Sequence, residues 1–420
     1  MLTFAVVGLV VGIAYCLGSR LIARLRLAGP LVMTVSGIVV TAIVHEDLTE
    51  LLYAPATEHT VELILALLLF VDATEVRGLG LFGGEGPVAT RLLFVALPLS
   101  LLAAILLGAA LLPATTIAVL VVAACVVVPT DLAPASSIVH DPRLPLRVRR
   151  ILNVESGYND GIVAPVFVVA LALLGGDGPG DGVVGTILHA VQSSVLACAV
   201  GAAVGYGGGR CIRAVTARGL STEQGVRMGV VLLVFLAYGS AVALSANGFI
   251  AAFVCGVSFH TARAAAGATG HSELEATEDL ATLSSLAMWF LFGATITYLV
   301  GVGLPDWEVF AYVAAALTII RILPIRTALI GSTLPRQDRY AVALLGPRGT
   351  ASIVFGLLAW RGIADIYDAS LVLYLMVLTV AGSIAFHSVG AEWVGRRYLR
   401  GSTADAAAPP PTDDAQRPGR

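Results

Sequence analysis

Six ionisable residues lie within apolar stretches of the chain, where charge is costly. They are Asp72, Asp131, Glu155, Asp160, Arg321 and Arg348. A charged side chain at the centre of a membrane-spanning helix costs about 2.5–3.5 kcal/mol on insertion scales, and such residues usually mark the path of an ion or a proton. Their presence in one chain predicts a binding site for a small charged species inside a bilayer.

The densest polar cluster is the segment 153–161, which reads Asn-Val-Glu-Ser-Gly-Tyr-Asn-Asp-Gly. Ser156 and Asp160 are four residues apart and lie on one face of a helix, whereas Glu155 and Asn159 share the neighbouring face. Such a face can hold a cation. The alternative is a loop-to-helix junction with capping side chains, and it is disfavoured because residues 162–174 alone are too short to cross a bilayer.

Two prolines interrupt the apolar stretch that precedes this segment. Pro129 and Pro134 flank Thr130 and Asp131, and each proline lacks an N–H and clashes with the preceding turn, so we expect the helix to break there. Non-helical backbone at membrane depth is buried or lines a cavity, and its free carbonyls can hold a cation. A proline kink without a binding site is the alternative.

A second interruption lies in the last third of the chain. Residues 345–352 read Leu-Gly-Pro-Arg-Gly-Thr-Ala-Ser, with Arg348 bracketed by Gly-Pro and Gly. Two interrupted helices in corresponding halves of a chain predict inverted repeats with a site near the membrane midplane. The charges suit the broken ends, because Asp131 would offset the positive partial charge of a half-helix N-terminus and Arg348 the negative one of a C-terminus.

Two further charges lie on other predicted spans. Arg321 follows a long apolar run and needs a buried acid, and Glu155 is its natural partner because unpaired charges are not left in lipid. Asp72 follows Leu-Leu-Leu-Phe-Val. It marks either a functional carboxylate or the end of the third span.

These residues must be positioned by helices that cross a membrane. The 420 residues are 57% hydrophobic and 13% charged, and the mean hydropathy is +0.90. Long apolar runs without period-two alternation predict an all-α polytopic membrane protein with about thirteen transmembrane helices, two of them broken. We expect the helices to begin near residues 2, 29, 60, 89, 115, 151, 183, 226, 247, 281, 306, 338 and 367.

The placement of arginine predicts the orientation. Cytoplasmic loops accumulate basic residues, and here the arginine clusters fall in odd-numbered loops, at 20–26, 143–150, 210–218 and 336–339. The pattern places the N-terminus outside and the C-terminus in the cytoplasm of a multi-pass cell-membrane protein. After residue 400 the chain becomes rich in Ala, Pro and Asp, which predicts a disordered cytoplasmic tail over residues 401–420.

Together these motifs resemble those of the monovalent cation:proton antiporters, in the branch that contains the NhaP-type sodium/proton antiporters and the animal sodium/proton exchangers. The resemblance runs in matching order through Leu-Phe-Val-Asp72, Pro-Thr-Asp131, the segment 155–161, Arg321 and Gly-Pro-Arg348-Gly. It implies one membrane transporter domain over residues 1–400. Within it, interface helices would occupy about 1–85 and 183–302, and core helices about 89–175 and 306–391.

The resemblance also implies that the two broken helices cross, and that the protein is a homodimer whose core moves across the membrane like an elevator. Asp160 would bind H⁺ and a monovalent cation in turn, with Na⁺ as the first candidate and K⁺ or Li⁺ as others. Ser156, the Thr130 carbonyl and Asp72 would contribute oxygens to the cation. Asn159 is neutral where the electrogenic branch has a second aspartate, which indicates electroneutral exchange.

The other four charged residues would have structural roles by the same resemblance. Glu155 and Arg321 would form an ion pair, while Asp131 and Arg348 would balance the dipoles of the half-helices. We expect no cofactor, no nucleic-acid partner and no enzymatic activity. Two other functions stay open at this point, a sodium-coupled symporter of an organic anion on a similar fold and a cation channel.

Overall fold

The computed structural model describes residues 2–25, 27–44, 55–75, 85–132, 143–174, 182–264 and 271–406. The helices in this part of the chain begin close to the predicted positions. They are α1 (Leu2–Arg24), α2 (Gly29–Val44), α3 (Pro55–Glu75), α4 (Gly86–Leu111), α5 (Ile117–Val127), α6 (Leu146–Leu174), α7 (Gly182–Ala217), α8 (Glu223–Ala243), α9 (Gly248–Ala264), α10 (Glu275–Val302), α11 (Trp307–Ala328), α12 (Arg336–Leu344), α13 (Thr350–Gly362) and α14 (Ile366–Ala406).

The predicted all-helical membrane fold is confirmed. Eight helices in the described residues are long and apolar enough to cross a bilayer, and α2, α5 and most of α9 are shorter apolar helices. No strand occurs in the ranges given above. Helix α14 continues to Ala406, and residues 407–420 of the predicted tail lie outside the described residues.

Helix α5 ends early, as its proline predicts. Thr116 caps the N-terminus of α5 by accepting a hydrogen bond from the N–H of Val119 at 3.5 Å, and the side chains of α5 from Val122 to Val127 are almost entirely buried. The helix ends at Val127, and the chain is not helical through Leu132. Residues 133–142, including Pro134, lie outside the described residues.

The second predicted interruption is present in full. Helix α12 ends at Leu344, residues 345–349 are not helical, and α13 begins at Thr350. Helix α4 carries a milder irregularity, a π turn over Leu92–Ala96 just before Pro98. A proline removes one backbone hydrogen bond of a helix, and π turns often occur at functional sites.

The helices pack mainly within two sets. In one set α2 packs along α10, and α9 packs against α3, α7 and α8. In the other set α5 packs against α4, α6, α13 and α14, and α11 packs against α4 and α14. Helix α6 also packs against α3, α7 and α9, so it joins the two sets.

Candidate ion-binding site

The two chain breaks meet at Asp131. Its backbone N–H donates to the carbonyl of Pro347 at 2.8 Å, and its Oδ2 accepts from the N–H of Thr350 at 2.6 Å. Thr350 is the first residue of α13, so Asp131 satisfies one of the donors that a helix N-terminus leaves unpaired. A carboxylate in this position also complements the positive end of the helix dipole.

Arg348 lies in the break between α12 and α13 and makes the corresponding contact with the end of α5. This residue is 1% exposed, its Nε donates to the carbonyl of Val127 at 2.7 Å, and its Nη1 donates to the carbonyl of Gly346. Val127 is the last residue of α5, so the cation lies at the negative end of that helix dipole. The contacts of Asp131 and Arg348 are therefore those that dipole compensation requires.

Two polar side chains of α6 bind the non-helical backbone that follows α5. Asn159 Nδ2 donates to the carbonyl of Thr130 at 2.9 Å and to its Oγ1 at 2.7 Å. Ser156 Oγ accepts from the N–H of Leu132 at 3.1 Å. Because α6 is helical throughout this segment, it holds the open backbone in place. The structure thus brings Thr130, Ser156 and Asn159 together.

Asp160 follows on α6 and is 2% exposed. Within the part of the chain that the structure describes, its Oδ1 has no hydrogen-bond partner, and neither does Oδ1 of Asn159. Two charges act on Asp160, the like charge of Asp131 and the opposite charge of Arg348. A buried carboxylate oxygen without a donor is costly. Binding a proton or a cation removes that cost, and this is the chemistry that the site offers.

Glu155 and Arg321 form a buried bidentate ion pair. Arg321 Nη1 lies 2.6 Å from Oε1 and Nη2 lies 3.1 Å from Oε2 of the carboxylate. Nη2 also donates to the carbonyls of Val342 and Leu345, at 3.1 and 3.0 Å. A Cβ on Gly346 would lie 2.1 Å from the guanidinium, so this position requires glycine. The pair ties α6 and α11 to the end of α12.

Asp72 comes from the other set of helices. It is half-buried and lies in the last turn of α3, which packs against α6 and α9. The contact with α9 is close, because a Cβ on Gly256 would lie 2.6 Å from the carbonyl of Phe70. Asp72 itself lies three residues before the last residue of the helix, Glu75.

A cavity of about 10 Å³ adjoins the cluster on the side of α4, and it is large enough for roughly one water molecule. Residues of the π turn form part of its wall. Its polar lining consists of Ser100, Glu155, Asn159, Arg321 and Arg348. The cavity thus connects the Asn159 amide with the ion pair.

Comparisons with known proteins identify the family of the chain. The family model described as sodium/hydrogen exchanger, transmembrane, matches residues 8–396 of the chain. The chain belongs to the sodium/hydrogen exchanger family. A comparison with curated proteins gave no match.

Solved structures of another antiporter share the fold of this exchanger family member. A structure of the sodium proton antiporter MjNhaP1 from Methanocaldococcus jannaschii at pH 8 matches with a TM-score of 0.71 at 16% identity, covering 93% of this chain and 99% of that one. An electron-microscopy structure of MjNhaP1 matches with a TM-score of 0.69 at 16% identity, covering 98% and 100%. At this identity the likeness establishes the fold alone.

Sequence reasoning missed several polar residues of the exchanger that contact the second break. Ser383 on α14 accepts a hydrogen bond from the N–H of Arg348 at 2.7 Å, and its Oγ lies 3.1 Å from Nδ1 of His387. The hydroxyl of Thr350 contacts two residues of α10, Ser285 and Trp289. A signal exists only for Ser383 and His387, which are spaced four residues apart in an apolar span.

Proposed function

We propose that this exchanger family member exchanges a monovalent cation for H⁺ and that Asp160 is the carboxylate that binds both. Na⁺ is the first candidate, and K⁺ and Li⁺ are the others. The observation that carries the proposal is the buried Oδ1 of Asp160, which has no hydrogen-bond partner among the described residues and lies beside two crossing non-helical segments. One carboxylate that accepts either ion couples the two fluxes, because each ion displaces the other.

The proposed cation ligands are oxygens that keep unused lone pairs. The Thr130 carbonyl accepts from Asn159, and Ser156 Oγ accepts from Leu132, yet each oxygen has a second lone pair for a cation. The Asn159 amide would hold the Thr130 carbonyl in position. We propose Asp72 as a further oxygen donor, from the α3 side of α6.

The buried charges support exchange of one ion for one. Glu155 is paired with Arg321, and Asp131 and Arg348 lie at opposite half-helix ends. Among the five charged residues at the crossing, three acids against two arginines leave a net charge of −1, which belongs to Asp160; Asp72, on α3, lies outside this group. One proton or one monovalent cation neutralises it, and a neutral site crosses a low-dielectric barrier at the lowest cost. Because Asn159 adds no second carboxylate, we propose electroneutral exchange.

Alternating access would use the two sets of helices. We propose that α4–α6 and α11–α14 form a core that moves like an elevator against an interface domain of α1–α3 and α7–α10. Helices α1 and α7 bury little of their apolar surface, 0% and 11% of their most apolar windows. That surface suits the bilayer and a second copy in a homodimer. We also propose a cell-membrane protein with the N-terminus outside and the C-terminus in the cytoplasm.

The test is exchange in proteoliposomes that contain a pH-sensitive dye. A pulse of Na⁺, K⁺ or Li⁺ should dissipate a preset ΔpH for the wild-type protein, with a rate that does not depend on an imposed membrane potential. Asp160→Asn should abolish the response, because an amide neither takes up a proton nor carries the charge that attracts a cation. Asp279→Asn is the matched control, since Asp279 is exposed on α10.

Other outcomes would contradict the proposal in recognisable ways. Retained exchange in a folded Asp160→Asn protein would exclude Asp160 as the carrier. Uptake of an organic anion with Na⁺ and no ΔpH response would indicate a symporter, and single-channel currents would indicate a channel. A rate that rises with membrane potential would leave exchange in place but exclude electroneutrality.

A further inference from the structure

The first residue of α13 contacts the other set of helices through its hydroxyl. Thr350 is 2% exposed, and its Oγ1 lies 2.8 Å from Oγ of Ser285 and accepts from Nε1 of Trp289 at 3.2 Å. Both partners belong to α10. The backbone N–H of the same threonine donates to Asp131. One residue therefore joins α10 to the carboxylate at the crossing of the breaks.

The partner helix is itself held firmly. Trp289 is fully buried and packs edge-on against Phe292. Helix α10 also approaches α2 closely, because a Cβ on Gly293 would lie 2.0 Å from the carbonyl of Thr34. An indole N–H can only donate and the threonine oxygen can accept it, so the contact has a defined direction. The Thr350 hydroxyl is thus bound to a rigid element.

We propose that Thr350 is a positioning residue for ion exchange, whose hydroxyl ties the first turn of α13 to α10 in the conformation described here. This inference rests on the proposed function, in which α13 belongs to the moving core and α10 to the interface domain. The bonds to Ser285 and Trp289 must break when the core moves. They therefore stabilise this conformation over the one that opens to the opposite face.

A contact that stabilises one of two conformations affects apparent cation affinity differently on the two membrane faces, whereas a contact needed only for folding does not. When a binding-competent state is less populated, the apparent dissociation constant rises in proportion. Removing the hydroxyl should weaken apparent cation affinity on the membrane face to which this conformation opens and strengthen it on the other. A loss of hydrogen bonding of ordinary strength corresponds to a shift of roughly threefold to tenfold on each face.

The experiment compares Thr350→Val, which keeps the shape and removes the hydroxyl, with Thr350→Ser, which keeps the hydroxyl. The KM for Na⁺ and the maximal exchange rate are measured from each membrane face in oriented vesicles. We expect opposite KM shifts for Thr350→Val and values near wild type for Thr350→Ser. Thr277→Val is the matched control, because Thr277 is a buried residue of α10 whose Oγ1 has no hydrogen-bond partner in the described ranges.

Ser285→Ala tests the same contact from α10 and keeps the inference testable if Thr350→Val does not fold. Ser285 is half-buried on α10, so its truncation removes the contact without changing any residue of α13. We expect a smaller shift in the same direction, because the bond from Trp289 remains. Unchanged KM values in folded Thr350→Val and Ser285→Ala proteins would overturn the inference, as would equal impairment of Thr350→Ser and Thr350→Val. Failure of the proposed function would instead appear as no exchange by the wild-type protein.

Discussion

Two places in this molecule bring helix backbones into close contact, and they do so by opposite means. At the crossing of α5 with the break between α12 and α13, the helices are interrupted and charged side chains bind the open backbone. Between α2 and α10 both helices are regular. There a Cβ on Gly37 would lie 2.0 Å from the carbonyl of Phe290, and one on Gly293 equally close to that of Thr34.

The crossing has groups that are available to an ion, whereas the glycine contact only stabilises the packing of two helices. Open backbone at the crossing leaves carbonyls and a carboxylate available to an ion, but it needs buried charges to hold it. The glycine contact offers no ligand, since its backbone groups are already used within helices, and it needs no charge. Changes at the two places should therefore have different effects on exchange and on stability.

The largest effect on stability is expected at the crossing, from breaking the pair of Glu155 and Arg321. Glu155→Gln leaves the buried guanidinium without its carboxylate, which costs about 3–5 kcal/mol when one partner of a buried pair is removed. We expect a strongly lowered midpoint of thermal unfolding in detergent and little folded protein. Arg321 also donates to the carbonyls of Val342 and Leu345, so the pair holds the end of α12 in place. Exchange should therefore fall in proportion to the fraction of folded protein.

The double variant Glu155→Gln/Arg321→Gln serves as the control for that prediction. It removes both charges, and the cost of an unpaired buried charge disappears with them. Stability should recover in part, but not fully, because the carbonyls of Val342 and Leu345 lose their charged donor. A Glu155→Gln protein as stable as the wild type would show that the pair contributes little to the fold.

A substitution at the glycine contact should lower stability by an intermediate amount and leave exchange by the folded protein unchanged. Gly293→Ala places a methyl group against a backbone carbonyl that cannot rotate away, and overpacking of this kind costs about 1–3 kcal/mol. We expect a lower unfolding midpoint, with exchange by the folded protein retained because no ion ligand is touched. The unfolding midpoint and the exchange rate per folded molecule are measured on the same sample.

Gly301→Ala is the matched control on the same helix. A Cβ there would have no atom of the described residues within 4 Å beyond its own helix, and the residue is exposed. Alanine has the higher helix propensity, so this variant should be as stable as the wild type or slightly more so. Equal destabilisation by both alanines would show that the loss comes from the helix itself and not from its contact with α2.

The crossing could be predicted from sequence because its residues are out of place in apolar runs. Asp131, Asp160, Glu155, Arg321 and Arg348 each stand out as a charge, and the prolines and glycines beside them indicate where the helices end. Pairing then follows from the requirement that buried charges have partners. The structure brings Glu155 to Arg321, and Asp131 and Arg348 to the ends of half-helices.

The supporting contacts could not be predicted in the same way. Glycine, serine and threonine are common in membrane helices, and a hydroxyl can bond to the carbonyl one turn earlier, as Thr295 does. Nothing in the sequence distinguishes Thr350, which contacts another helix, from such residues. Gly37 and Gly293 differ from exposed glycines only in what lies opposite them, which is a property of the packed structure.

The smallest effect is expected from an ion pair that also joins the two sets of helices, but at their edge. Glu58 on α3 and Arg361 on α13 are 2.6 Å apart at Oε2 and Nε, with side chains that are 35% and 22% exposed. Pairs this accessible to solvent are worth about 0–1 kcal/mol and weaken with salt. Glu58→Gln should therefore shift the KM for Na⁺ measured from each membrane face less than Thr350→Val does, and added salt should reduce the remaining shift.

The measurement is the same oriented-vesicle assay at low and high ionic strength, with choline chloride as the added salt so that the Na⁺ concentration is unchanged. A shift as large as that of Thr350→Val and insensitive to salt would mean that the edge, and not the buried Thr350 contact, sets the balance between the two conformations.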